Sequence, residues 1–186
     1  MRIVAGRFRG RALASVGKGD PAAHLRPTTD RVRESLFNLL LNGGYGDPVG
    51  GAQVLDLFAG TGALGLEALS RGAAHVTFVD DGTTALALVR ENVALCRAEA
   101  DCTILRRNAT RPGPAPEAPA TLVFLDPPYG KGLGEKGLAA CLAGSWIAPG
   151  ALIVWEEGAA VTPPEGVELL DNRRYGETGI SILEVR

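Results

Sequence analysis

From residue 53 onward the chain repeats one unit, an apolar run, a turn and a helical stretch, and that alternation constrains the fold more than any other feature. "QVLDLF" reads as a strand, "AGTG" as a turn and "ALGLEALSRG" as a helix closed by Gly72. "HVTFVD" is a second strand with a helix after it from Thr83 to Cys96, and "CTILRR" a third. "TLVFLD" and "ALIVWEE" are the fourth and fifth, separated by a glycine-rich loop and a helix over "EKGLAACLAGS". The end, "VELLDNRRYGETGISILEV", reads as two strands around a "GETG" turn. Strands alternating with helices require crossover connections, so the expected fold is α/β. Its sheet is mostly parallel and seven-stranded, with helices on both faces and an antiparallel strand near one edge. Ligands of such sheets bind beyond the carboxyl ends of the strands.

The first 52 residues are organised differently. "RIVAGRFRGRALAS" alternates loosely around Gly6 and Gly10, which suits a short β-hairpin or arm. "TTDRVRESLFNLLLN" places Val32, Leu36, Leu39 and Leu40 at helical spacing, with Thr28 or Thr29 as N-cap, Asp30 in the first turn and Gly43–Gly44 as the stop. The expected organisation is one domain over 1–186: a basic arm (1–25), a helical segment (26–44) and an α/β core (45–186). Residues 1–36 carry eight basic side chains against three acidic ones, while the remainder carries eleven against eighteen. A basic end on an acidic body points to an anionic partner met by that end. No apolar run approaches the roughly 20 residues that span a bilayer, and the N-terminus lacks the apolar core of a signal peptide. Three cysteines without a C-x-x-C pair fit reduced thiols in a cytoplasmic protein, and two histidines leave no visible metal cluster. The Pro-rich stretch 111–120 reads as a loop with no chemistry attached.

Two motifs carry chemistry. In "VLDLFAGTGALG", Gly60, Gly62 and Gly65 follow a strand and open a helix, and Asp80 lies 20 residues beyond Gly60. Glycines let a ligand approach the backbone, and an acid at the next strand's end can accept hydrogen bonds from a ribose. Alone this permits a nicotinamide dinucleotide or another adenosine-bearing cofactor. Asp56, four residues before the turn, sits poorly beside a pyrophosphate and suits a cationic amino group. The second motif, "LVFLDPPYG", ends a buried strand on an acid, two prolines and an aromatic. Each proline pushes its predecessor towards extended geometry, so Asp126 and Pro127 form a rigid spur with a carboxylate and a free carbonyl.

The pattern D-x-F-x-G-x-G resembles motif I of class I S-adenosylmethionine-dependent methyltransferases. By that resemblance Asp56, Phe58, Ala59, Gly60, Thr61 and Gly62 border the cofactor and Asp80 binds its ribose. Asn108 and Ala109 lie where that superfamily often presents an acid to the adenine. "DPPY" resembles the (Asp/Asn)-Pro-Pro-aromatic motif used on planar exocyclic nitrogens. Asp126 and the Pro127 carbonyl then accept the two N–H groups, and Tyr129 stacks on the base. With "MRIVAGRFRGR", "LRPTTDRVRESLFNLL" and "RRYGETGISILE", the whole chain resembles the ribosomal small-subunit methyltransferase D family. Those enzymes methylate the N2 amine of a guanine in small-subunit (16S) ribosomal RNA. The family implies a Rossmann-like sheet with an N-terminal β-extension, S-adenosylmethionine and no metal, and a ribosomal RNA partner, free or in a ribosomal particle. A cytoplasmic monomer is the simplest expectation. It also turns Arg26, Thr28 and Arg31 towards the cleft and lays Arg7, Arg9 and Arg11 along RNA phosphates. The plain alternative makes Arg26–Thr29 an N-cap segment, and Arg31 and Arg33 solvated helix charges. Rival readings are an adenine-N6 DNA or glutamine-amide methyltransferase, a hydride-transferring dehydrogenase, and a non-catalytic RNA-binding adaptor. "RPTTD" and the arm argue against the first, Asp56 and the spur against the second, and the intact motifs against the third.

Overall fold

The computed structural model describes residues 1–16, 29–176 and 178–186. Arg26 and Thr28, both expected at the cleft, lie outside the described residues. The elements run α1 (Asp30–Asn42), β1 (Gln53–Leu57), α2 (Ala63–Ser70), β2 (His75–Asp80), α3 (Thr83–Cys96), β3 (Cys102–Arg106), β4 (Ala120–Leu125), α4 (Leu133–Ala143), β5 (Ile147–Glu157), β6 (Val167–Tyr175) and β7 (Thr178–Val185).

Among the described residues seven strands make one sheet in the order β3-β2-β1-β4-β5-β7-β6. The first five are parallel, β7 runs antiparallel between β5 and β6, and the order reverses beside β1. The alternation of side chains along the central strands divides the core in two. Val54, Phe78, Phe124 and Val154 face α1, α2 and α3, together with Ile3 and Leu13 of the arm. Leu55, Leu57, Val79, Val123, Leu125 and Ile153 face α4 and Trp146. Both faces are therefore covered, which is why these strands read as continuous apolar runs. The same alternation puts Asp56 on the α2 face, in register with Phe78 and Phe124.

Thr29 is the N-cap of α1; its side-chain oxygen accepts the Val32 N–H at 3.3 Å. Leu36 and Leu40 are buried and Val32 and Leu39 partly so, as the spacing predicted; Phe37, outside that set, is buried as well, and so is Arg33. The reading of Arg33 as a solvated charge is corrected: its guanidinium donates to Glu67, Asp30 and the Arg2 carbonyl. Arg31 is exposed.

The arm is a hairpin with one β-bridge among the described residues, Arg2 to Ala12, and backbone bonds from Ile3 N–H to Arg11, Gly10 N–H to Ile3 and Leu13 N–H to Met1. Its backbone is fastened to α2 instead of to a long strand partner. The buried Glu67 carboxylate accepts the Val4 and Ala5 N–H groups at 2.8 and 3.0 Å, and also pairs with Arg33 and Arg71. Arg7 N–H donates to the Ser70 carbonyl at 2.8 Å. Gly6, at φ +79°, lies so close that a Cβ there would fall 1.8 Å from that same oxygen.

Candidate active site

Four adjacent parallel strands bring an acid to the same edge of the sheet. Asp56 is the penultimate residue of β1, Asp80 ends β2, Asp126 follows β4, and Glu156 and Glu157 end β5. The glycine turn sits between the first two. Phe58 takes a left-handed φ of +58°, which reverses the chain directly after β1, and Gly60 and Gly62 follow at +56° and +74°. A bulky side chain rarely adopts that conformation, so the surrounding packing must hold it. The Phe58 ring is partly buried near Gly137 of α4, so what the residue gives the turn is its backbone. Ala59 N–H donates to Val79 and its carbonyl accepts from Gly62, closing the turn.

Each acid is tied to backbone. Asp56 Oδ2 accepts the Gly65 N–H at 3.0 Å, satisfying a donor in the first turn of α2, which has no side-chain cap. That approach requires glycine, since a Cβ on Gly65 would stand 2.6 Å from Phe78 and 2.7 Å from Val76. Asp80 accepts Gly60 N–H at 3.0 Å with one oxygen and Gly82 N–H at 2.8 Å with the other, so it shapes the turn as well as facing it. Each oxygen retains a second lone pair for a ligand hydroxyl. Thr61 is buried, and its carbonyl accepts from Asn92 at 2.9 Å.

Asn108 is exposed and its amide is engaged locally. The oxygen accepts from Thr110 N–H and hydroxyl, and the nitrogen donates to Asp81 at 3.2 Å. Ala109 beside it is buried. The pair stands beyond β3, and the Asn108–Asp81 bond brings it next to the end of β2.

At the spur, Asp126 N–H donates to the Leu57 carbonyl at 3.4 Å, bringing it beside β1. Tyr129 is partly buried, and its hydroxyl donates to Glu156 Oε1 at 2.7 Å. Glu157 Oε1 accepts the N–H of Gly130 at 3.2 Å and of Gly158 at 3.0 Å. The Tyr129 ring lies against Gly158, where a Cβ would come within 3.0 Å of Cδ2. Two consecutive acids thus hold the spur, one at Tyr129 and the other at Gly130. Neither was singled out in the sequence, where "ALIVWEE" reads only as a strand; the available signal was a pair of acids closing an otherwise apolar central strand.

Electrostatically the edge concentrates acidic groups. Among the described residues no ion pair reaches Asp56, Asp80, Asp126 or Glu157. Burial pushes the Asp56 carboxyl up to about 8 despite its bond from Gly65. Burial likewise raises Asp80. Asp126 is raised well above the usual carboxylate range, first by burial and then by Glu156, Asp56 and Glu157. The Tyr129 phenol is pushed up by burial and by Glu156, so it stays protonated and donates. Bringing a cation to this edge would relieve all of these carboxylates.

The three arginines expected along RNA differ. Arg9 and Arg11 are exposed. Arg7 pairs with Asp101 at 2.7 Å and lies over the Phe8 ring. No group of acids, histidines or cysteines among the described residues could hold a metal ion.

Residues 1–184 match the family model described as "Conserved hypothetical protein 95". Ribosomal RNA small subunit methyltransferase D of Escherichia coli is 39% identical over 156 residues, 84% of this chain and 74% of that protein. Its Haemophilus influenzae namesake is 33% identical over 181 residues, 95% of this chain and 89% of that one. Among solved structures, yhhF from Escherichia coli aligns with a TM-score of 0.82 at 35% identity, covering 100% of this chain and 98% of the other.

Proposed function

Since the chain belongs to the ribosomal RNA small subunit methyltransferase D family, we propose that it methylates the exocyclic N2 amine of a guanine in small-subunit ribosomal RNA, with S-adenosylmethionine as donor. The observation that carries this reading is the convergence of Asp56, Asp80 and Asp126 around one glycine turn. Such a donor set fits a ligand that carries a ribose and positive charge, and it opposes a pyrophosphate. When bound, S-adenosylmethionine supplies an electrophilic methyl on a sulfonium.

The protein's part is positioning and electrostatics. Gly60 and Gly62 allow close backbone approach, Asp80 accepts from the ribose hydroxyls, and Asp56 offers its remaining lone pairs to the ammonium. Phe58, Ala59 and Thr61 form the wall of the turn, and Asn108 and Ala109 border the adenine. The N2 amine of guanine is a poor nucleophile because its lone pair is delocalised into the ring. Acceptors at both its N–H groups, Asp126 and the Pro127 carbonyl, favour pyramidalisation and aim the lone pair outward. Tyr129, its hydroxyl fixed by Glu156, offers a ring on which the extruded base can stack. A carboxyl raised by its surroundings is suited to hold the proton that the amine sheds. Holding these groups at fixed distances supplies much of the rate.

Asp126→Ala tests this directly. Methyl transfer to a small-subunit ribosomal RNA substrate should fall by about 100-fold or more, while calorimetry with S-adenosylmethionine should still find binding. Near wild-type turnover would remove the spur from the mechanism.

The arm meets RNA through phosphates, which position without specifying sequence. Arg9 and Arg11 are exposed for that role, and Arg31 extends the surface from α1, with Arg26 and Thr28 of the preceding segment assigned to the same cleft. The Arg7–Asp101 pair is solvent-facing and weak enough for Arg7 to exchange partners. Arg9→Glu with Arg11→Glu should weaken RNA binding and flatten its salt dependence, by a slope of about 1 for each lost phosphate contact. Unchanged filter-binding curves would move the RNA to another face.

A further inference from the structure

Asn92 is a fully buried amide in the otherwise apolar stripe of α3 formed by Leu86, Val89, Val93 and Cys96. A lone buried amide must satisfy all its donors and acceptors or destabilise the fold. Asn92 does so with two segments far away in sequence. Its Oδ1 accepts the Ala14 N–H at 2.7 Å, and its Nδ2 donates to the Ala14 carbonyl at 3.1 Å and to the Thr61 carbonyl at 2.9 Å. These partners fix the amide orientation, because a flipped amide would set its NH2 against an N–H and its oxygen against two carbonyls. Ala14 directly follows the hairpin of the basic arm, and Thr61 stands between Gly60 and Gly62 of the turn. One side chain therefore joins the segment that carries Arg9 and Arg11 to the backbone that faces the cofactor.

We propose that Asn92 is a positioning residue that couples the arm to the glycine turn, so that RNA on the arm and cofactor at the turn strengthen each other's binding. The proposal rests on the methyltransferase reading above. Ordering either segment orders the other through this amide, and linkage makes the effect reciprocal. Glu67 and Ser70 hold Val4 to Phe8 against the far end of α2, Asp30 and Arg33 of α1 hold Arg2, and Asp101 holds Arg7; the side chains of Glu67 and Ser70 bond to no described residue of the turn. Asn92 is thus placed to transmit what they do not.

The test is calorimetric titration of S-adenosylhomocysteine into the full chain, with and without a saturating transcript of small-subunit ribosomal RNA. Wild-type protein is expected to bind on the order of 5-fold tighter or more with RNA present. In Asn92→Ser the ratio should fall to within about 2-fold of unity, with each ligand still bound alone. Asn92→Asp keeps the shape and the acceptor for Ala14 N–H but, once ionised, loses both donations, and it should show the same loss; if one variant fails to fold, the other is read. A folded variant that keeps the wild-type ratio, or a wild-type ratio of one, overturns the coupling while leaving the methyltransferase reading intact. No binding of S-adenosylhomocysteine to wild-type protein would overturn that reading, and the coupling with it.

Discussion

At the scale of single residues, the site depends on where side chains are missing as much as on where they stand. Gly158 has no side chain, and the Tyr129 ring occupies the space one would fill. Gly158→Ala should therefore push the ring by a few tenths of an ångström while its hydroxyl remains tethered to Glu156. We expect kcat for RNA methylation to drop about tenfold, against a stability loss of about 1 kcal/mol. Urea denaturation beside steady-state kinetics checks the pair of values, and a large stability loss with normal kcat would show that the ring packs without stacking on substrate. Asp56, Asp80 and Asp126 were legible at this scale because each sits at a fixed offset from glycines or prolines. Glu156 and Glu157 were not. Their meaning comes from Tyr129 and Gly130, 27 residues earlier, and no local pattern encodes that.

At the scale of elements, the buried carboxylate of Glu67 joins α1, α2 and the arm. It faces Arg33, Arg71 and two backbone N–H groups with no exposure of its own. Removing it takes away the buried carboxylate that faces both Arg33 and Arg71, so Glu67→Ala should cost about 3–5 kcal/mol. Hydrogen exchange at Val4 and Ala5 should speed up in the same variant, and normal protection there would show that the arm is held by other contacts. The bounds of α3, Thr83–Cys96, were read from the sequence as they stand, whereas β5 starts at Ile147, four residues before the apolar run that signalled it. The arm's attachment was invisible, because Glu67 looks like any helical acid and Arg33 like any helical base. Their partners lie 62 to 63 and 34 residues away, and burial of both charges follows only from the tertiary arrangement.

At the scale of the whole molecule, the cluster of acids makes stability depend on pH in an unusual direction. The Asp56 carboxyl is raised from 3.8 to about 8, so between these values the folded chain binds more protons than the unfolded one. Stability contributed by this group is fully present below about pH 4, declines as pH rises, and is lost above about 8. Urea midpoints of the ligand-free protein should therefore be lower at pH 8 than at pH 5, and Asp56→Asn should shrink the difference; equal midpoints in wild type would show that the carboxylate is compensated. The order of the strands has a consequence of another kind. β7 is the last strand along the chain, yet it lies inside the sheet, between β5 and β6. During synthesis β6 can only wait unpaired until the eight residues of β7 arrive to fill the gap. A transcript cut short by that one strand would strand β6 without a neighbour and leave the β5 edge open. Residues Thr178–Val185 thus close the sheet, and by pairing Gly179 and Ile180 with Glu157 and Glu156 they also brace the strand end that holds the spur.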